Sequence, residues 1–351
     1  MLPWLAGAAD PGRVHTEGRI SRAVVEDARE RVAVLLGARA REVVFTSGAT
    51  EAIATAVWGA GERGTHMVVP AVEHSAVRET SARYDVTAVG VDRLGRVDPD
   101  EVAAAIRPGE TALVHVQWAN HEVGTVQPVA EVVALCRDLG VLVHVDAAAA
   151  AGHVPIDFDG LGADLLSVSA HKMGGPLGVG ALLVRRGLRL RPLLVGGEQE
   201  RARRAGMENV PGIVGFGAAA TTLAGPAMAE EAARAVSQTR AIVAGATTVD
   251  GVTTYGDPVD RLPYLVCLGV DGVEAEPVLI GLDRAGIAAH SGSSCSSESL
   301  EPSPVLEAMG AAADRSLRVS VGWSTADAEV DAFLDAFPQV VERLRALATG
   351  A

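Results

Sequence analysis

Between Ile20 and Gly225, short apolar runs of strand length alternate with longer stretches of helical periodicity, and no other feature restricts the fold as strongly. Strands are predicted at Glu42–Phe45, Met67–Val69, Val86–Val91, Ala112–Val116, Val141–Val145, Asp164–Val168 and Gly180–Val184. Helices are predicted at Ser21–Leu36, Ala49–Trp58, Pro99–Ile106 and Val129–Leu139, the last opened by Pro128 and closed by Gly140. Such alternation implies an α/β architecture: a mainly parallel sheet, here of seven strands, with helices on both faces. Ligands of these sheets bind beyond the carboxyl ends of the strands. The alanine- and glutamate-rich stretch Ala224–Arg240 is predicted to be one long helix linking to a smaller α+β domain. That domain has strands near Tyr264–Leu268 and Leu317–Val321, helices near Glu276–Ala285 and Pro304–Ala308, and a closing helix Ala326–Leu347. The expected division is 1–225 and 226–351.

Composition removes several functional classes. A net charge of −14 with no basic stripe argues against nucleic acid as a partner. No apolar stretch reaches the roughly 18 residues of a membrane span, and the N-terminus does not read as a secretory signal. Cys136, Cys267 and Cys295 are too few and too scattered for a disulfide framework, which fits a reducing cytoplasm. No metal is expected.

Of the 30 basic residues one alone, Lys172, is lysine. Arginine supplies cation charge everywhere else, so Lys172 marks a place where charge is not enough. A deprotonated amine forms an imine with an aldehyde, and a guanidinium does not. Lys172 lies in Ser169-Ala170-His171-Lys172, directly after the predicted strand Asp164–Val168 and before Gly174, Gly175 and Gly178. Asp146 ends the apolar strand that contains His144, and a buried carboxylate there needs a cationic partner. A protonated pyridine nitrogen is one, and an aspartate beside it makes the ring a better electron sink. Thr46-Ser47-Gly48-Ala49-Thr50-Glu51 joins a strand end to a helix start, where free N–H groups, hydroxyls and the dipole favour an anion such as phosphate; Ser47 could also serve as an ordinary cap. His74 opens another helix and is placed to stack on a ring, although a lone histidine is more often structural. Asn120 and its neighbours are polar at the expected ligand edge. Cys136 and Cys267 fall in regular apolar elements and read as inert. Cys295 is set among glycine and serines, in what is expected to be an exposed, flexible loop.

Together these segments resemble the class V aminotransferase family, and within it the cysteine desulfurases. The resemblance rests on TSGATE (46–51), EHSAV (73–77), NHEVG (120–124), HVDA (144–147), SAHK (169–172), GGEQERARRAG (196–206), SGSSCSSESLEPSPVL (291–306) and LRVSVG (317–322). It implies a homodimer of the fold type I found in enzymes dependent on pyridoxal 5′-phosphate. It further implies a reaction in which L-cysteine becomes L-alanine and sulfur passes to Cys295 as a persulfide. The sulfur would go on to an acceptor or scaffold protein, with iron–sulfur cluster biogenesis among the uses. By the same resemblance Lys172 would hold the cofactor and Asp146 its pyridine nitrogen. His74 would stack on the ring, and Ala49, Thr50, Ser169 and His171 would bind the phosphate. Asn120 would lie near the ring oxygen or the substrate, and Arg318 would take the substrate carboxylate. The chain departs from the family pattern at Ala149, Met207 and Trp323, where glutamine, threonine and arginine are usual, and in its short N-terminal segment. Two other readings stay open: a related lyase acting on selenocysteine or another C–S substrate, and a weakly active homologue serving as a sulfur-transfer partner.

Overall fold

The computed structural model describes residues 1–7, 9–291 and 302–349. Its larger sheet has seven strands: β1 (Val43–Thr46), β2 (His66–Pro70), β3 (Asp85–Val89), β4 (Thr111–Gln117), β5 (Leu142–Asp146), β6 (Leu165–Ser169) and β7 (Gly180–Val184). They are ordered β1-β7-β6-β5-β4-β2-β3, and every pairing is parallel except the two made by β7. The predicted strands are all present, with ends shifted by a few residues. Every residue of β1, β2, β4, β5, β6 and β7 is buried, as expected of a sheet covered on both faces. The helix Ala49–Ala60 covers one face through Ala52, Ile53, Ala56, Val57 and Ala60. Burying one such aliphatic side chain contributes about 1.5–3 kcal/mol. The helix Thr16–Leu35 packs on Val210–Leu223 so closely that a Cβ on Gly217 would lie 2.7 Å from Cα of Ala28.

Contacts divide the chain into two compact units: Met1–Val89, Pro99–Trp118 and Pro128–Met228 in one, and Gly90–Asp98, Ala119–Gln127 and Ala229–Ala351 in the other. The expected division at 225/226 thus misses two short loops. The reason is local hydrogen bonding within the second unit. Thr125 Oγ1 donates to Leu94 O and accepts from Asp257 N, Gln127 Oε1 and Nε2 bind Val97 N and Gly95 O, and Arg96 pairs with Asp257 at 2.7 Å. The predicted helix 224–240 is present, with its ends shifted toward the C-terminus. One helix ends at Leu223 and the next runs Ala227–Ala246, because Gly225 and Pro226 interrupt the pattern.

The second unit has a four-stranded antiparallel sheet. Its strands are β8 (Val252–Tyr255), β9 (Leu265–Val270), β10 (His290–Ser291) and β11 (Ser316–Ser320), in the order β10-β11-β9-β8. The closing helix Asp327–Thr349 lays Phe333, Phe337 and Val341 into a core with Val266, Leu268 and Leu317. Among the described residues, no single helix is long and apolar enough to cross a membrane.

Candidate active site

Because β1, β2, β5 and β6 run in the same direction, their carboxyl ends share one edge of the large sheet. β5 and β6 are neighbours with Asp146 in register with Ser167, so Asp146 and the segment after Ser169 emerge at the same edge. β6 runs directly into a 3-10 turn, Ala170–Met173, which Gly174 ends at φ +76. This turn exposes His171 and Lys172. His153 Nε2 lies 2.8 Å from the carbonyl of Lys172 and fixes the backbone there. The side chain of Lys172 makes no ion pair or hydrogen bond with a described residue. His171 Nδ1 is 2.9 Å from Ser169 Oγ. Burial and then the charge of Lys172 hold the His171 imidazole below its ordinary range, so it is neutral at pH 7.

Asp146 is buried. Its Oδ1 accepts from Ser167 Oγ at 3.0 Å and from Ala148 N at 3.0 Å. Ser167 is its register partner on β6, so the strand pairing itself delivers this hydroxyl. Oδ2 has no hydrogen-bond partner among the described residues, which leaves it to a cationic ligand. Two residues upstream, His144 packs against His115, with Nδ1 atoms 3.1 Å apart. Burial drives His144 down to about 4, against a smaller upward pull from Asp146, and burial, with the neighbouring His144, holds His115 well below its ordinary range. Both rings are therefore neutral.

At β1, the helix Ala49–Ala60 has Gly48 as its N-cap and no side-chain cap. Ser47 does not fill that role. Instead Ser47 N donates to Glu51 Oε2 at 2.8 Å, and Glu51 is held by Arg204 at 2.8 and 3.2 Å. The free N–H groups of this helix start thus remain available to an anion. A Cβ on Gly180 would come within 2.7 Å of Gly48 Cα, so the close approach of these two backbones needs glycine. Arg204 belongs to a loop in which Glu200, Arg201 and Ala202 all have positive φ, of 49°, 60° and 60°. Left-handed conformations cost about 1–2 kcal/mol each in such residues. A buried, two-pronged pair holds the loop: Arg29 Nη1 and Nη2 to Glu200 at 2.5 and 2.8 Å, with Phe45 N donating to Glu200 at 2.9 Å. Met207, just beyond, is 60% exposed.

At β2, His74 is the N-cap of the helix Ser75–Ser81, accepting from Ala76 N at Nδ1. The ring proton therefore resides on Nε2. Glu73 and Val72 anchor this turn to Gln117 at the end of β4, at 2.6 and 2.9 Å.

The second unit carries the other candidates. Asn120 is fully buried, and its Oδ1 accepts from Glu122 N and Val123 N, so this group shapes its own turn. Arg318, on β11, donates to His121 O at 3.1 Å. Cys267 on β9 and Cys136 in the large unit are fully buried, and burial pushes both thiols up to about 12. Trp323 is 71% exposed. Cys295 lies outside the described residues. Sequence reasoning overlooked Ser167, Arg204 and the Arg29–Glu200 pair. A period-two serine pattern marks Ser167 and Ser169, but the other contacts join residues more than 150 positions apart.

The chain matches the class-V aminotransferase family over residues 5–333. It belongs to that family. Among relatives, it is 40% identical to the cysteine desulfurase IscS of Methanosarcina thermophila over 98% of this chain and 88% of that protein. It is 39% identical to cysteine desulfurase IscS 1 of Archaeoglobus fulgidus, over 99% and 94%. Among solved structures, a NifS-like protein superposes with a TM-score of 0.90 at 31% identity, covering 98% of this chain and 94% of that one. This family membership agrees with a fold that sets Asp146, Ser169, His171 and Lys172 at the carboxyl edge of a seven-stranded sheet.

Proposed function

We propose that this chain is a cysteine desulfurase that binds pyridoxal 5′-phosphate at the carboxyl edge of the large sheet. The observation that carries the cofactor assignment is the placing at one sheet edge of Lys172, the chain's sole lysine and without a partner among the described residues, and of Asp146, whose Oδ2 has none among them either. The uncapped helix start at Gly48 supplies the third requirement, a place for a phosphate. The residues present therefore fit the group. When bound, the cofactor supplies an aldehyde for amine capture and a cationic ring that withdraws electrons from the substrate's Cα.

This chain's residues do the rest. Lys172 Nζ would hold the cofactor and would serve as the base that takes the Cα proton. Asp146, oriented by Ser167 and Ala148, pairs with the ring nitrogen through Oδ2. Ala49 and Thr50 at the helix start, with Ser169 and His171, hold the phosphate. His74, fixed by its capping bond, stacks on the ring and carries a proton at Nε2. Arg318 binds the substrate carboxylate with its planar fork, and Asn120 borders the ring oxygen or the substrate. Cys295 as thiolate attacks the sulfur of the bound cysteine. An S–S bond forms, the Cβ–S electron pair stays on carbon, and a proton completes alanine, so the step needs no external oxidant or reductant. A homodimer, a sulfur-accepting protein and a cytoplasmic setting complete the reading.

The test is purified protein with L-cysteine and excess dithiothreitol, which reduces the Cys295 persulfide to thiol and sulfide, assayed for alanine and sulfide, with borohydride reduction and peptide mapping of the cofactor. One adduct on Lys172 and equal yields of alanine and sulfide are expected. An unmodified Lys172 in yellow protein would sink the assignment, and Lys172→Arg should have neither adduct nor activity.

A further inference from the structure

At the opposite edge of the large sheet a cavity of about 330 Å³ opens at the start of β5, the residue before β6 and the residue after β7. Arg63, Arg137, Arg185 and Arg186 line it, with Asp164 as its one acid. Asp164 Oδ2 accepts from Val143 N at 2.9 Å, and Oδ1 makes a charge contact with Arg185 at 2.5 Å without a hydrogen bond. The guanidinium groups of Arg63, Arg137 and Arg186 make no hydrogen bond or ion pair with any described residue. Arg137 is stationed over Gly162, where a Cβ would meet Nη1 at 3.7 Å.

In a chain of net charge −14, three cations without a described partner face one concavity, a local positive field that draws small anions. The charges of Arg63 and Arg137 do reach into the cavity, since both act with Arg185 to oppose the rise that burial imposes on Asp164. We propose that this cavity is a second binding site, for a small polyanion, a phosphate ester or a polycarboxylate. Guanidinium forks match the oxygen pairs of both groups. The volume is at the lower end of the range for small-molecule sites, which suits a metabolite-sized anion. The site is distinct from the catalytic edge: Leu142 and Asp146 are the two ends of one strand, about 13 Å apart.

The experiment uses cofactor-loaded protein, so that the phosphate subsite is already filled. Titration calorimetry with sodium tripolyphosphate and, separately, with citrate is run at matched ionic strength against chloride. Binding of one equivalent per chain is expected, weakening as salt rises. Arg137→Ala and the pair Arg63→Ala/Arg186→Ala should each weaken it at least tenfold, while Arg318→Ala leaves it unchanged. These arginines are solvent-facing, and unaltered melting temperatures without ligand will show that the variants fold. Binding of tripolyphosphate alone identifies a phosphate site, and equal binding of citrate identifies a general polyanion site. Absence of binding at millimolar concentration, or binding that survives both variants, overturns the proposal.

Discussion

Replacing Glu200 with glutamine tests how the strained 200–202 turn is held. Arg29 and Glu200 each have side chains no more than 3% exposed, joined by two bonds of 2.5 and 2.8 Å. Glu200 Oε2 also accepts from Phe45 N, a bond that glutamine can keep through its own oxygen. Arg29 keeps Val43 O as an acceptor, Phe45 beneath its guanidinium at 4.7 Å, and the half-exposed Glu26. Glu200→Gln therefore removes one charge and sets an amide N–H against Arg29 Nη2, so one of the two bonds is lost with it. Breaking a buried pair this way costs about 3–5 kcal/mol, because the remaining charge stays buried. With a urea slope of about 3 kcal/mol/M, a loss of about 4 kcal/mol lowers the unfolding midpoint by about 1.3 M. Trp4, Trp58 and Trp118 lie in the large unit and Trp323 in the other, so a Trp323→Phe background confines tryptophan emission to the unit under test. Combining Glu200→Gln with Arg29→Met should cost less than the sum of the two changes, by up to about 3 kcal/mol. A loss under about 1 kcal/mol for Glu200→Gln, or strict additivity in the double variant, would refute the claim that this pair offsets the left-handed backbone.

Cys295→Ser should bind cofactor yet accept no sulfur, seen as the missing +32 mass ~ one sulfur atom, on the intact chain after a single turnover. Cys136 and Cys267, pushed up to about 12, should resist iodoacetamide at pH 8 in the folded protein and keep the chemistry when changed to serine. Ala149→Gln and Met207→Thr should each tighten cofactor binding by roughly tenfold, one charge-assisted hydrogen bond at about 1.4 kcal/mol, measured by equilibrium dialysis. For pH, His144 has a folded value near 4 against an unfolded 6.5, so stability is full above pH 6.5 and is lost as pH falls from there toward 4, by roughly 3 kcal/mol. His144→Asn should flatten that part of the stability–pH curve, and an unchanged slope would show that other groups cause it.

The sequence by itself determined the layer architecture, because burial on both faces writes itself as apolar runs such as Leu165–Val168, and helical periodicity marks what covers them. It also determined that Asp146 and Lys172 end neighbouring stretches of apolar chain, because the change from apolar run to polar residue is local. Several elements left no such mark. β8 alternates weakly and β10 has two residues, both too little for a periodic signal. The alanine-rich pattern does not mark the end of the helix that follows Gly225 and Pro226, which runs on to Ala246. Only the tertiary structure decided that Ser167 faces Asp146, through a strand register; that residues 90–98 and 119–127 join the second unit, through bonds to Asp257 and each other; and that Glu200 is buried on Arg29. Each of these depends on groups brought together across a long stretch of chain, and no local pattern of polarity records which distant partner will satisfy a buried charge or hydroxyl.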